Sequence, residues 1–292
     1  MNLFLQLAVN GIYAGSIFAL FGLSFALIFA TTKVWHFAQG AVYSGSALIV
    51  VALATTIGLL PAILAGVVFA TLGGLGCQAG IYGPLRRRGA SMLVIVMASL
   101  GVTIVGENLL SILFGPSQKT LLVDVGGPII AGGIVISRAQ LLAPIIAVAV
   151  VGLALFVLYR TDFGRKVQAL IGDEELMQLQ GIATGPIRMA CVAFGSAILP
   201  IAAVMLLLSG TGVSPYIGLP VVLIGAMSLF LGGINSMLGA AIGGFLIGFV
   251  ENVALYFIPS SWQAAFTYSL FLAIILVRPT GLLGRRLIQS SM

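Results

Sequence analysis

No charged side chain occurs before Lys33, and most of the 32 residues that precede it are apolar. Such a run outstrips the ~18 apolar residues expected of one membrane span and is too long for the apolar region of a secretory leader. It reads as a first transmembrane helix. Further runs follow, giving spans at about 4–31, 42–58, 61–82, 91–113, 139–159, 188–209, 217–232, 236–256 and 262–278. The second and seventh are short and Gly-rich, the mark of a broken or re-entrant helix, so the count is eight or nine. Barrel strands are short and alternate in polarity, and these runs do neither. The expected fold is an all-α polytopic membrane protein, with residues 1–292 forming one transmembrane domain.

Composition agrees. Hydrophobic residues make up 60% of the chain and charged residues 7%, against roughly a quarter charged in a soluble domain. The net charge is +6. In a membrane protein that excess marks the cytoplasmic side and not nucleic acid. Placing the segments after spans one, three, five and nine in the cytoplasm collects Lys33, Arg86, Arg87, Arg88, Arg160, Arg165, Lys166, Arg188, Arg278, Arg285 and Arg286 there. Only Lys119 and Arg138 remain opposite. The N-terminus is then outside. Cys77 and Cys191 lie in apolar runs and read as free buried thiols, with neither a disulfide nor a metal site.

Polar and small residues within the spans mark candidate pathway positions. Gly11, Gly15 and Gly22 share one face of the first span, where small residues let helix backbones approach. Gly232 and Gly233 precede Asn235 and Ser236, a sequence that breaks one helix and caps the next. Broken helices at membrane depth occur where protein or a polar cavity covers them. Glu107 and Glu251 are intramembrane acids, functional candidates by position, and Thr103 and Ser111 share the Glu107 face. The single histidine, His36, sits beside Trp35 and Lys33, as an interface-belt residue does. Gln39, Tyr43, Ser44 and Ser46 follow it and make the better pathway set. No nucleophile elbow, metal-binding helix or phosphate-binding loop motif is present, so no catalytic residue is assigned.

The stretch "GRKVQALIGDEELMQLQGI", residues 164–182, is too polar to span and too apolar to be a solvated linker. Val167, Leu170 and Ile171 share a helical face, Gly172 and Asp173 interrupt, and Leu176, Met177, Leu179 and Ile182 form a second apolar set. Two short helices around a turn fit this spacing, with Asp173 capping the second and Glu174 and Glu175 in its first turn. Both charge signs beside apolar knobs favour a protein groove over lipid headgroups.

The chain resembles the permease subunits of branched-chain amino acid ABC transporters, a group that includes urea and short-chain amide importers. The resemblance rests on "WHFAQGAVYSGS", "SLGVTIVGEN", "PYIG", "LGGINSMLGAAIGGFLIGFVE" and "RPTGLLGR" in order, and on the insert, which is similar to the family's ATPase-coupling loop. It implies a bacterial inner-membrane permease with no cofactor of its own. Implied partners are a second related permease or its own copy, two ATP-binding subunits carrying ATP-Mg, a periplasmic solute-binding protein and membrane lipid. Coupling falls to Gly164, Arg165, Leu170, Asp173, Leu176, Leu179, Gly181 and Ile182, within the cytoplasmic loop 160–187. The solute pathway falls to Gly11, Gly15, His36, Gln39, Tyr43, Glu107, Tyr216, Gly232, Gly233 and Asn235. His36, Gln39, Ala41, Glu107 and Ile224 depart from the family's usual Asn, His, Glu, Gln and Lys, which bears on the solute and leaves fold and coupling in place. The rival readings are a proton-coupled transporter using Glu107 and Glu251, and a membrane enzyme, for which no constellation exists.

Overall fold

The computed structural model describes residues 2–121, 126–131, 133–234, 236–278 and 280–283. Its helices are α1 (Asn2–Thr32), α2 (Gln39–Ile57), α3 (Leu59–Cys77), α4 (Gly83–Arg87), α5 (Met92–Phe114), α6 (Arg138–Arg160), α7 (Asp162–Gly172) and α8 (Glu174–Leu179). They continue with α9 (Thr184–Leu208), α10 (Gly218–Gly232), α11 (Met237–Ala254) and α12 (Gln263–Val277). A π turn, Gln78–Tyr82, joins α3 to α4 into one long rod. A small hairpin, β1 (Ile129–Ala131) with β2 (Ile134–Ile136), is the only sheet among the described residues. Nine helical segments are long and apolar enough to cross a membrane, which settles the count between eight and nine among those residues.

The bundle is built around α1, which packs against α11, α9, α10 and α6. Small residues set the closest seam: a Cβ on Gly11 would lie 3.0 Å from the Phe249 carbonyl oxygen of α11, and one on Gly22 would overlap the Ala240 carbonyl. In lipid, where apolar surface gains nothing by leaving the solvent, such close backbone packing supplies the cohesion. The outer helices show the complementary surface. Leu60, Leu64, Leu72, Ile112, Val148 and Leu276 are all exposed, as hydrocarbon permits and water does not.

The two short Gly-rich spans begin inside the bundle. Gln39, the first residue of α2, donates from Nε2 to Ser24 Oγ at 2.5 Å. Ser24 lies eight residues before the end of α1, about 12 Å back along the helix. Residues 33–38 therefore fold back into the bundle, and Lys33, with φ of 54°, starts the reversal. The 3-10 turn Pro215–Ile217 leads α10 to the same place, where the backbones of Gly40 and Gly218 touch. The two helices meet N-terminus to N-terminus.

The C-terminal carbonyls of α1 have no partner within the helix. Two arginines supply donors: Arg188 Nε donates to the Thr31 oxygen at 3.1 Å, and Arg86 donates to the Thr32 oxygen. Cations suit this negative end of the helix dipole. At the other end of the bundle, the segment between α5 and α6 is stitched down by Gln6, which bonds both backbone groups of Val135 at 2.9 Å. Lys119 and Val213 add a reciprocal backbone pair at 2.8 Å.

Candidate functional site

A cavity of about 740 Å³ lies between α1, α2, α10, α11 and α12. Its deep wall is apolar and aromatic: Ile17, Phe18, Phe21, Tyr43, Val221 and Ile224. Its rim is polar: Asn10, Gln140, Ser209, Thr211, Glu251, Asn252 and Gln263. Among the described residues, no lysine, arginine or histidine lines it. Tyr43 stands at the junction, fully buried, edge-on to Phe21 with ring centres 5.2 Å apart. Its hydroxyl has no hydrogen-bond partner among the described residues. Tyr13 crosses the cavity wall and donates to the Met205 carbonyl at 2.6 Å, tying α1 to α9. Gln263 Nε2 holds the Glu251 carboxyl at 2.9 Å.

The pathway residues expected from the sequence fall into several places. Tyr43 lines this cavity, and Tyr216 lies exposed in the turn whose next residue, Ile217, lines it. Gly11 and Gly15 turn away from it and form the α1–α11 seam. Gln39 is buried at the junction of α1, α2 and α9, because the Ser24 Oγ that it meets donates to the Gly195 carbonyl at 2.6 Å. Glu107 is 9% exposed on α5, with its carboxyl toward the Leu219 backbone N–H in the first turn of α10 and Oε1 unpartnered. It lies beside the meeting point of α2 and α10 and outside the cavity lining. Gly232 and Gly233 end α10 and pack on Gly239 and Gly281. Asn235 lies outside the described residues.

His36 is not an interface-belt residue. The reversal after Lys33 carries it inward to 1% exposure. Its Nδ1 lies 2.7 Å from the Tyr82 hydroxyl, which in turn lies 2.8 Å from Ser99 Oγ, and the Ala38 N–H donates to the same Ser99 oxygen at 3.0 Å. This chain of bonds pins the re-entrant segment to the π turn and to α5. Among the described residues, no group of three or more His, Cys, Asp or Glu side chains could hold a metal ion.

Sequence reasoning missed Tyr13, Ile17, Phe21 and Val221 as lining residues. The signal was present: Asn10, Tyr13 or Ala14, Ile17 and Phe21 recur every three or four residues on α1, beside the glycine stripe.

The insert folds as two short helices around Asp173, at the opposite end of α1 from the cavity rim. Thr161 Oγ1 caps α7 by accepting from the Gly164 N–H at 3.1 Å, and Asp173 Oδ1 caps α8 by accepting from the Leu176 N–H at 2.9 Å. Gly181, at φ +75°, closes α8: its N–H reaches the Gln178 carbonyl and the Ile182 N–H reaches the Met177 carbonyl, the paired bonds of a Schellman cap. Gly164, Val167, Leu170 and Met177 face the bundle and are buried, while Ile182 packs partly against it. Leu176 and Leu179 point outward, 52% and 79% exposed, with Arg165, Asp173 and Gly181 also at the surface. Arg165 pairs with Asp162 in solvent.

Glu174 joins this loop to α9 and, through Arg188, to the end of α1. Its carboxyl pairs with Arg188, accepts from Thr184 Oγ1 at 3.3 Å and from Gln178 Nε2 at 3.2 Å. Arg188 in turn holds the Thr31 carbonyl at the end of α1. Burial lowers the Lys33 pKa from its ordinary value, and the nearby Glu174 charge works against that shift. One short chain of polar contacts thus runs from α8 to α1.

Among the described residues, nine apolar helices enclose an inner cavity at one end and carry a short helical loop at the other, the architecture of a multi-pass membrane protein. The chain belongs to the family of permease components of branched-chain amino acid transport systems, whose pattern matches residues 7–277. BraD of Pseudomonas aeruginosa, a high-affinity branched-chain amino acid transport system permease protein, is 29% identical over 97% of this chain and 96% of its own length. LivH of Escherichia coli K12, of the same description, is 28% identical over 97% of this chain and 96% of its own. The probable branched-chain amino acid permease LivH of Methanocaldococcus jannaschii is 24% identical over 97% and 95%. The chain is accordingly a multi-pass transport subunit and not an enzyme. Its class works with ATPase and solute-binding partners.

Proposed function

We propose that this chain is the permease of a bacterial inner-membrane importer for branched-chain or similar hydrophobic amino acids, driven by ATPases docked on residues 164–182. The whole described chain acts as one transmembrane domain. Its N-terminus is outside and its docking loop in the cytoplasm, as the basic residues at the loop's end of the bundle support. A second permease, related or identical, completes the pathway, and a binding protein delivers solute to the rim. The cavity takes the aliphatic side chain on Ile17, Phe18, Val221 and Ile224. Polar groups of the rim receive the charged head. Ile224, where the family resemblance leads one to expect Lys, keeps this wall apolar.

One observation carries the reading. The surface knobs of α8 and the wall of the cavity belong to elements joined through Glu174, Arg188 and the Thr31 carbonyl. ATP-driven closure of the docked subunits pulls on α8, and α1 moves with it. Alternating access then opens the cavity to one side or the other. The test is uptake of labelled leucine into proteoliposomes holding the chain with its neighbouring permease, ATPases and binding protein. ATP-dependent uptake supports the reading. Uptake by the chain alone, driven by a pH gradient and indifferent to ATP, overturns it in favour of a proton-coupled transporter.

A further inference from the structure

A second cavity, of about 430 Å³, opens at the basic end of the bundle between the π turn, α4 and the first turns of α9. Arg86, Arg87 and Arg188 line it. Arg86 and Arg188 lie close enough to repel each other, and the nearest acid, Glu174, is already paired with Arg188. Arg87 makes no hydrogen bond or ion pair among the described residues. Three cations around one cavity call for an anion.

The walls say which anion. Gly83 and Gly185 line the cavity without side chains. Gly76 and Gly80 continue the same edge of the α3 rod, and a Cβ on either would meet nothing within 4 Å. That leaves a shallow apolar groove running from the arginines along a membrane-spanning rod. An acidic peptide has no use for such a groove, whereas an acyl chain does. Basic pockets between helices at the cytoplasmic leaflet are suited to lipid headgroups.

We propose that this cavity binds the phosphodiester of an anionic phospholipid. The arginines hold the phosphate, and one acyl chain lies along the Gly76–Gly80 edge. The site goes beyond the transport reading and does not depend on which energy source drives uptake.

The purified transporter, washed in detergent to low lipid content, is titrated with phosphatidylglycerol or phosphatidylethanolamine, with and without millimolar inorganic phosphate. Retained lipid is read by native mass spectrometry. Wild type should retain phosphatidylglycerol in clear preference. Arg87→Gln should weaken that retention about fivefold, the loss of one surface cation. Arg87 is the chosen cation because Arg86 and Arg188 also hold α1, so their loss would confound folding with binding. Equal retention of both lipids overturns the proposal, as does unchanged retention in Arg87→Gln. Complete displacement by inorganic phosphate would assign the site to a soluble anion and overturn the lipid. An Arg87→Gln variant that loses ATPase association while keeping its lipid would assign the arginines to a partner protein.

Discussion

Glu174 is a small residue of the account with large leverage. Its pair with Arg188 is partly shielded, and the remaining bonds to Thr184 and Gln178 fix its direction. Glu174→Gln should cost on the order of 1–2 kcal/mol of local stability, leave insertion and ATPase docking intact, and lower solute moved per ATP hydrolysed. A structural role alone would lower expression and leave that ratio unchanged. The exchange Glu174→Arg with Arg188→Glu should recover part of the ratio. On the cavity wall, Ile224→Lys should place an uncompensated cation beside Phe18 and Val221. Uptake of an aliphatic amino acid should then fall at least about tenfold, a 1.4 kcal/mol effect, with ATPase association unaltered, as measured by uptake and pull-down on the same preparation.

Among the elements, α8 is the clearest case of sequence specifying local structure. Asp173 caps it, two acids follow in its first turn and Gly181 closes it, each as the side-chain chemistry dictates. Asp173→Ala should loosen α8 by about 1 kcal/mol, and Gly181→Val should strain its left-handed cap by a similar amount or more. Both should weaken ATPase pull-down while the bundle remains folded, since Leu176 and Leu179 present their apolar ends only when α8 holds its turn. The spans were equally legible, because long uncharged runs admit little else in lipid. The depth of α2 and α10 was not. Their glycines announced irregularity, but only the bonds from Gln39 to Ser24 and the Gly40–Gly218 contact show both helices starting inside the bundle. The cavity lining was partly legible: Tyr43 was expected, while Gly11 and Gly15 went to helix packing because one face of α1 meets α11 and the neighbouring face lines the cavity. Periodicity finds a stripe without saying which neighbour it meets.

At the scale of the whole molecule, α1 is the shared member. Its N-terminal half walls the cavity, its glycine stripe packs on α11, and its C-terminal end is held by Arg86 and Arg188 beside α8. In the proposed mechanism, force applied at α8 would reach the cavity through one rigid helix, and ATP binding in docked partners would move α1 through Glu174 and Arg188. The most direct measurement places spin labels on the rim ends of α1 and α12 in the reconstituted transporter and reads their separation with and without a non-hydrolysed ATP analogue. The expected result is a nucleotide-dependent change in distance that Glu174→Gln reduces while the ATPases stay bound. A change of the same size in wild type and Glu174→Gln would contradict it.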